Sequence, residues 1–402
     1  MSLLGASSFH IVNLGCKVNR VEADSIGASL LACGLAAAEQ ETADLIIVNT
    51  CTVTGEAAKK ARKAVRHAIA ANPVASIVVT GCAAALEAET FCAMDPRVSV
   101  RGKAEIEAEL SGAAGTAPLR MGAGFRTRVG LKVQDGCDHA CTYCIVHVAR
   151  GPARSVPASE VLRDARAYFQ AGAKELVLAG IDIGAYRDAS VRLPDLARML
   201  LAESVAANAD DGPCARVRIS SIEPLNVSDD LVSLLAQSDG SLCRHLHLPL
   251  QSGSSKVLAE MDRPYTAEWF AALAARLHGE VPGIALTTDV IVGFPGETER
   301  DFQQTCELVR QARFSRLHVF PYSQRAGTPA AERADQVPAP VKRERAERLR
   351  AIGRELADED RRRRAGTREW ALVEGASALT ESYHELPAPP GSAAGTLVRC
   401  SF

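Results

Sequence analysis

No apolar run in this 402-residue chain reaches the roughly 18 residues that a membrane-crossing helix needs. The Ala-rich stretch from Ile26 to Ala38 is too short and follows Glu22 and Asp24. The N-terminus lacks the basic segment and small-residue cleavage site of a secretory leader, so export is not expected and a cytoplasmic protein is. Net charge is nearly absent: 46 Lys and Arg against 48 Asp and Glu leave a formal −2. That balance excludes a generic polyanion binder, and any nucleic-acid contact must use a local basic patch. What the chain does have is cysteine, 12 of them. Without an export signal these read as reduced thiols, not as a disulfide frame.

The length allows two or three domains. The first 120 residues alternate strand-like and helix-like segments. Phe9 to Leu14, Leu45 to Asn49 and Ser76 to Thr80 are short, β-branched-rich runs, followed by helical stretches at about 19–33, 53–71 and 84–93. The rhythm predicts an open parallel sheet with right-handed crossovers. A Gly/Ala-rich stretch, Ser111 to Gly124, reads as a linker. A second alternation has strand candidates at Arg128–Val133, Glu175–Ala179, Arg216–Ser220, Arg244–Leu248, Ala285–Val292 and Arg316–Phe320. Six such units suggest a partial (βα)6 barrel with its site at the carboxyl ends of the strands. A charged helix from Val337 to Arg364 and a short β-like tail, Glu369 to Phe402, complete the α/β chain.

Six cysteines carry the chemistry. Cys137, Cys141 and Cys144 lie on one loop directly after the first barrel strand, spaced Cys-x3-Cys-x2-Cys. Three thiolates on a tight loop can hold three irons of a [4Fe-4S] cubane and leave the fourth open. A Cys3His zinc site using His139 or His147, and plain buried thiols, are the alternatives. Cys16, Cys51 and Cys82 each follow one of the three N-terminal strands. Sites in open α/β sheets form beyond the carboxyl ends of strands, so these three are expected to converge despite their separation in sequence.

The segment from Gly136 to Ser155, with its Arg150-Gly151 and Arg154-Ser155 pairs, resembles the cluster loop of radical S-adenosylmethionine (SAM) enzymes, and within them the methylthiotransferase family. Gly15-Cys16-Lys17-Val18-Asn19, Asn49-Thr50-Cys51 and Thr80-Gly81-Cys82 resemble that family's N-terminal domain. Leu248-Pro249-Leu250-Gln251-Ser252-Gly253 and Arg263-Pro264-Tyr265-Thr266 fit it too. The likeness runs from about Phe9 into the tail. It implies two [4Fe-4S] clusters, one on Cys137, Cys141 and Cys144 and an auxiliary one on Cys16, Cys51 and Cys82. It also implies SAM, held at successive strand ends by Gly180, Asp182, Ser221, Glu223, Gln251 and Asp289. In the family one SAM methylates a sulfur on the auxiliary cluster, and a second yields the radical that activates a substrate C–H bond.

The Gly-Cys-Lys-Val-Asn start and the segment Ala179 to Tyr186 resemble the MtaB-type branch, which acts on N6-threonylcarbamoyladenosine in tRNA. Gln-Met in place of Lys17-Val18 would suggest the isopentenyladenosine branch, and Pro-Lys the branch acting on ribosomal protein S12. His147-Val148 and Arg20 depart from the family pattern. The different-class alternative is a non-catalytic iron-sulfur RNA-binding sensor. Trp370 to Tyr383 resembles a small RNA-binding TRAM domain, short here, and Arg361, Arg362, Arg363 and Arg364 before it could meet phosphates. The resemblance divides the chain into residues 8–118, 123–358 and 361–402. The expected partners are tRNA and an external one-electron donor such as flavodoxin or ferredoxin, with no membrane association and a monomeric state.

Overall fold

The computed structural model describes residues 3–52, 54–111, 127–206 and 215–402, so most of the linker read at Ser111 to Gly124 lies outside the described residues. At the N-terminal end β1 (Ser8–Asn13), β2 (Leu45–Thr50), β3 (Ser76–Gly81) and β4 (Val98–Val100) form a parallel sheet in that order. A two-residue strand, Ala36–Ala37, pairs on the outer edge of β1. The register aligns Ile11 with Ile47 and Ile47 with Val78. All six residues of β2 are buried, as a central strand covered on both faces requires. Helices α1 (Lys17–Ala32) and α2 (Gly55–Ala71) follow β1 and β2. Thr54 caps α2 by accepting a hydrogen bond from the Ala57 amide at 3.1 Å. The helical stretch expected at 84–93 is two short helices, Cys82–Leu86 and Ala88–Cys92, so Cys82 is the first residue of a helix.

Six parallel strands follow in sequence order as two arcs. The first holds β5 (Arg128–Lys132), β6 (Glu175–Ala179) and β7 (Arg216–Ile219); the second holds β8 (His245–His247), β9 (Ala285–Val292) and β10 (Arg316–Pro321). Single bridges, Val217 to Leu242 and Ser221 to His247, join the arcs. This is the partial barrel expected, its largest apolar core lying between the strands and the surrounding helices.

The charged helix spans Ala339–Arg364, and its buried residues Arg345, Ala346, Leu349, Ile352, Leu356, Asp360 and Arg364 recur at helical spacing. The tail forms an antiparallel sheet of β11 (Arg368–Glu374), β12 (Ser377–Thr380), β13 (Glu385–Pro387) and β14 (Leu397–Ser401), in the order β13-β12-β11-β14. Fully buried Arg216 and Arg218 of β7 fasten it. Their guanidiniums donate to the carbonyls of Trp370, Leu379, Thr380 and Glu381, and both pair with buried Glu175. No described helix is long and apolar enough to cross a membrane.

Candidate active site

The loop after β5 is shaped by its backbone. Gly136 adopts φ +70°, and a Cβ there would stand 2.0 Å from the Pro152 carbonyl oxygen, so only glycine fits. The Cys137 amide donates to Gly151 O at 3.1 Å and the Cys144 amide to Cys141 O at 2.9 Å, folding the three thiols onto one turn. Burial pushes the Cys137 thiol up to about 11, and the neighbouring Cys141 and Cys144 thiols push it the same way. Three soft donors on one turn are the donor set that a thiolate-bound metal centre needs. Arg263 Nη1 donates to Cys141 Sγ at 3.3 Å while its other arm grips both oxygens of Glu223, at 2.5 and 2.6 Å. His139 pairs with Asp182 at 3.3 Å.

These thiols open into a cavity of about 620 Å³ at the carboxyl ends of the barrel strands. Gly180, Asp182, Ser221, Glu223, Gln251 and Asp289 all line it. Sequence reading had not singled out buried Gln134, which braces the lining residues Ile181 and Asp182 from behind. Its Oε1 accepts from the amides of Ile181 and Asp182, and its Nε2 donates to the carbonyls of Asp135 and Gly136. Gln251 holds φ +67° while its backbone bridges β9, accepting from the Ile291 amide at 2.8 Å. Such a conformation in a residue with a Cβ is uncommon and clusters at functional sites.

Cys16, Cys51 and Cys82 stand at the ends of adjacent strands β1, β2 and β3. Burial raises the Cys82 thiol; the Cys16 and Cys51 thiols add to this, while Arg150 works against it. The polar residues of the three motifs tie the strand ends together. Asn19 Nδ2 donates to Thr50 O at 2.8 Å, Asn49 Nδ2 to Asn19 O at 2.6 Å, and Thr50 Oγ1 to Thr80 O at 2.6 Å. Gly81, at φ +93°, lets β3 approach β2: a Cβ would meet Thr50 O at 2.4 Å. Cys16 also lines the barrel cavity, whereas Cys51 and Cys82 are buried behind it.

Arg150 joins them. It arises from the barrel loop and donates to Cys82 Sγ at 3.1 Å, to Asn19 and Glu22 of α1, and to Asp135. Glu22 is buried and also receives Lys103 and Lys132. Glu22 drew attention only as a charge before an apolar stretch; its place in the i, i+3 frame of Asn19 was the available signal.

The arginine run does not act as a unit. Arg364 is buried, bound to Asp360 at 2.9 Å and Glu369 at 2.8 Å, with the Gly283 carbonyl also accepting from it. It lies on the inner face of its helix, so its expected phosphate contact is corrected to a structural one. Arg363 pairs with Asp360 at 3.3 Å, and Arg361 donates to Glu385 O at 3.3 Å. Arg361, Arg362 and Arg363 are exposed.

With this geometry in view, residues 131–309 match the radical SAM superfamily, and residues 8–101 match an uncharacterised family, UPF0004. The chain is 40% identical to the threonylcarbamoyladenosine tRNA methylthiotransferase MtaB of Bacillus subtilis, over 88% of this chain and 81% of that one. It belongs to the radical SAM methylthiotransferase family. The Thermotoga maritima MtaB is 34% identical over 93% of this chain and 89% of that one. The tRNA-2-methylthio-N(6)-dimethylallyladenosine synthase of Carboxydothermus hydrogenoformans is 33% identical over 94% and 90%. Among solved structures, the cobalamin-bound radical SAM methyltransferase TsrM of Kitasatospora setae shares the fold of this methylthiotransferase. The TM-score is 0.59 at 15% identity, covering 82% of this chain and 77% of that one.

Proposed function

We propose that this methylthiotransferase converts N6-threonylcarbamoyladenosine at position 37 of tRNA to its 2-methylthio derivative. The observation that carries the reading is one cavity lined by Cys137, Cys141 and Cys144 and reached by Cys16 of the second triplet, in a chain whose 40% relative bears that activity in its name. The dimethylallyladenosine synthases stand at 32–35%, a range that also holds the MtaB proteins of Thermotoga maritima and Chlamydia pneumoniae at 34%, so the 40% relative carries the comparison. A non-catalytic sensor would have no use for a shaped cavity lined by all six candidate SAM residues.

The enzyme uses SAM and two [4Fe-4S] clusters. Cys137, Cys141 and Cys144 would hold one, and Cys16, Cys51 and Cys82 the other. When bound and reduced, the first supplies the electron that cleaves the sulfonium of SAM. The chain's own contribution is placement. Arg263 steadies Cys141 and orients Glu223. Glu223 and Asp182 offer acceptors to the amine and hydroxyl groups of SAM, and Gly180 leaves backbone free to approach it. Arg150 locks the N-terminal sheet to the barrel so that both thiol groups face the same substrate.

We further assign residues 8–118 to the auxiliary cluster, 123–358 to the SAM barrel and 361–402 to RNA contact, with Arg361, Arg362 and Arg363 as the exposed cations. The electron comes from an external donor such as flavodoxin or ferredoxin, and the enzyme works as a monomer. Nucleoside mass spectrometry of tRNA from cells with and without the gene tests the substrate. Loss of the 2-methylthio form of threonylcarbamoyladenosine supports it; loss from isopentenyladenosine alone refutes it.

A further inference from the structure

One wall of the cavity carries charge that none of the steps above uses. Tyr383, brought in by the tail, stacks on His245 with ring centroids 4.7 Å apart and holds φ +69°, an uncommon conformation for a bulky residue. Three cations surround its ring: Arg218 at 5.0 Å, Lys17 at 5.5 Å and Arg128 at 5.9 Å. Arg218 has Glu175, and Arg128 has Glu374 at 2.9 Å. Lys17 has no carboxylate and no hydrogen-bond acceptor among the described residues, although it lines the cavity beside Cys16. Arg316 lines the same cavity and is equally unpaired among the described residues. It stands on β10, where Arg316, His318 and Phe320 alternate onto the cavity side, and Phe320 is left 40% exposed. Both cations bear on the His318 ring, as does the Asp289 carboxylate, which pairs with His247 at 3.4 Å in the same cavity.

Two unpaired cations beside an exposed aromatic ring are built for a planar base that carries an anion. We propose that Lys17 and Arg316 bind the carboxylate of the N6-threonylcarbamoyl group while Phe320 stacks on the adenine. This rests on the substrate reading given above and supplies the groups that would enforce it. A carboxylate satisfies both cations, whereas an apolar N6 substituent would cover them and leave them unpaired. Placement beside Cys16 keeps the modified base next to the auxiliary thiols.

Anticodon stem-loops carrying the threonylcarbamoyl group, its carboxamide counterpart or the isopentenyl group can be titrated against the reconstituted enzyme, with SAM affinity and methylthiolation measured alongside. The wild type is expected to prefer carboxylate over carboxamide by roughly tenfold to a hundredfold, the usual worth of charge-assisted contacts. The double variant Lys17→Met, Arg316→Met is expected to bind those two RNAs alike, and Lys17→Arg to keep most of the preference. Equal wild-type affinity for carboxylate and carboxamide RNAs overturns the proposal without any variant having to fold. So does a double variant that keeps the preference. A parallel loss for all three RNAs overturns it in favour of a phosphate contact, and a loss confined to SAM in favour of the methionine carboxylate. A wild type that methylthiolates only the isopentenyl RNA overturns the substrate reading as well. Methylthiolation of the threonylcarbamoyl RNA with no carboxylate preference overturns this inference alone.

Discussion

The two thiol triplets of this methylthiotransferase reach similar ends by opposite routes. Cys137, Cys141 and Cys144 come from eight consecutive residues held by their own backbone hydrogen bonds. Cys16, Cys51 and Cys82 come from three strand ends and depend on Asn19, Asn49 and Thr50 to keep those ends together. In each group one arginine donates to one sulfur, Arg263 to Cys141 and Arg150 to Cys82. Arg263 belongs to the same barrel as its thiols, whereas Arg150 reaches across from the barrel to the N-terminal sheet. The local triplet therefore needs a loop, and the assembled one needs most of the fold.

Removing one triplet at a time breaks the comparison most severely. Reconstituted wild type is expected to hold about eight irons, from two cubanes. Alanine at Cys137, Cys141 and Cys144 should leave about four and abolish SAM cleavage. Alanine at Cys16, Cys51 and Cys82 should also leave about four but spare part of the SAM cleavage, because the barrel wall stays built. Iron and 5′-deoxyadenosine assays decide, and equal loss of cleavage in two folded variants would refute the division of labour.

The next largest effect falls on the seam that carries Tyr383 into the cavity. Burial opposes ionisation of Glu175, but Arg216, Arg218 and Arg128 outweigh it and hold its carboxyl at about 2. A carboxyl depressed on folding stabilises the fold above its unfolded value near 4.3, and that contribution, on the order of 3 kcal/mol, is lost as pH falls toward 2. Glu175→Gln strands two buried guanidiniums and should cost about 3–5 kcal/mol at neutral pH. Urea unfolding at pH 7 and pH 3.5 should show a smaller acid loss in the variant than in the wild type.

A subtler substitution sharpens the contrast between the two arginines. Arg150→Met removes the barrel cation that donates to Cys82 and leaves buried Glu22 to Lys103 and Lys132. Loss of such supporting contacts typically weakens metal retention by 10- to 100-fold. Iron release to a chelator should therefore quicken for about half the iron in Arg150→Met, and for the other half in Arg263→Met. Release from both halves together in either variant would mean that the sites are one cooperative unit.

The spacing of the local triplet was legible because one loop supplies all three donors, and strand-end convergence was legible because parallel topology dictates it. Arg150, Gln134 and Tyr383 were not. Arg150 meets Cys82 across 68 residues and Asn19 across 131, and partner identity over such separations depends on how two units dock. The tail was read for its resemblance to a small RNA-binding domain, and its backbone carbonyls also satisfy two arginines of the barrel's third strand. Arg364 was misread although the signal was present: Leu349, Ile352, Leu356, Asp360 and Arg364 keep helical spacing, which marks an inner face.

That inner face sets the smallest effect. Arg361, Arg362 and Arg363 remain exposed, but Arg363 already faces Asp360 at 3.3 Å and Glu359 at 3.9 Å, which leaves Arg361 and Arg362 as the freest cations. Each phosphate contact releases counterions and contributes about 0.7 to 0.9 to the slope of log affinity against log salt. Replacing Arg361 and Arg362 by Gln should flatten that slope by roughly 1.4 to 1.8 and weaken tRNA binding most at low salt. Both thiol triplets lie elsewhere, so iron content should stay that of the wild type. Deleting the tail instead would confound the test, because it would strand Arg216 and Arg218 and remove Tyr383 from the cavity wall. Titrations of tRNA at several salt concentrations separate the two views. Identical slopes would mean that the arginine run only solvates the end of its helix.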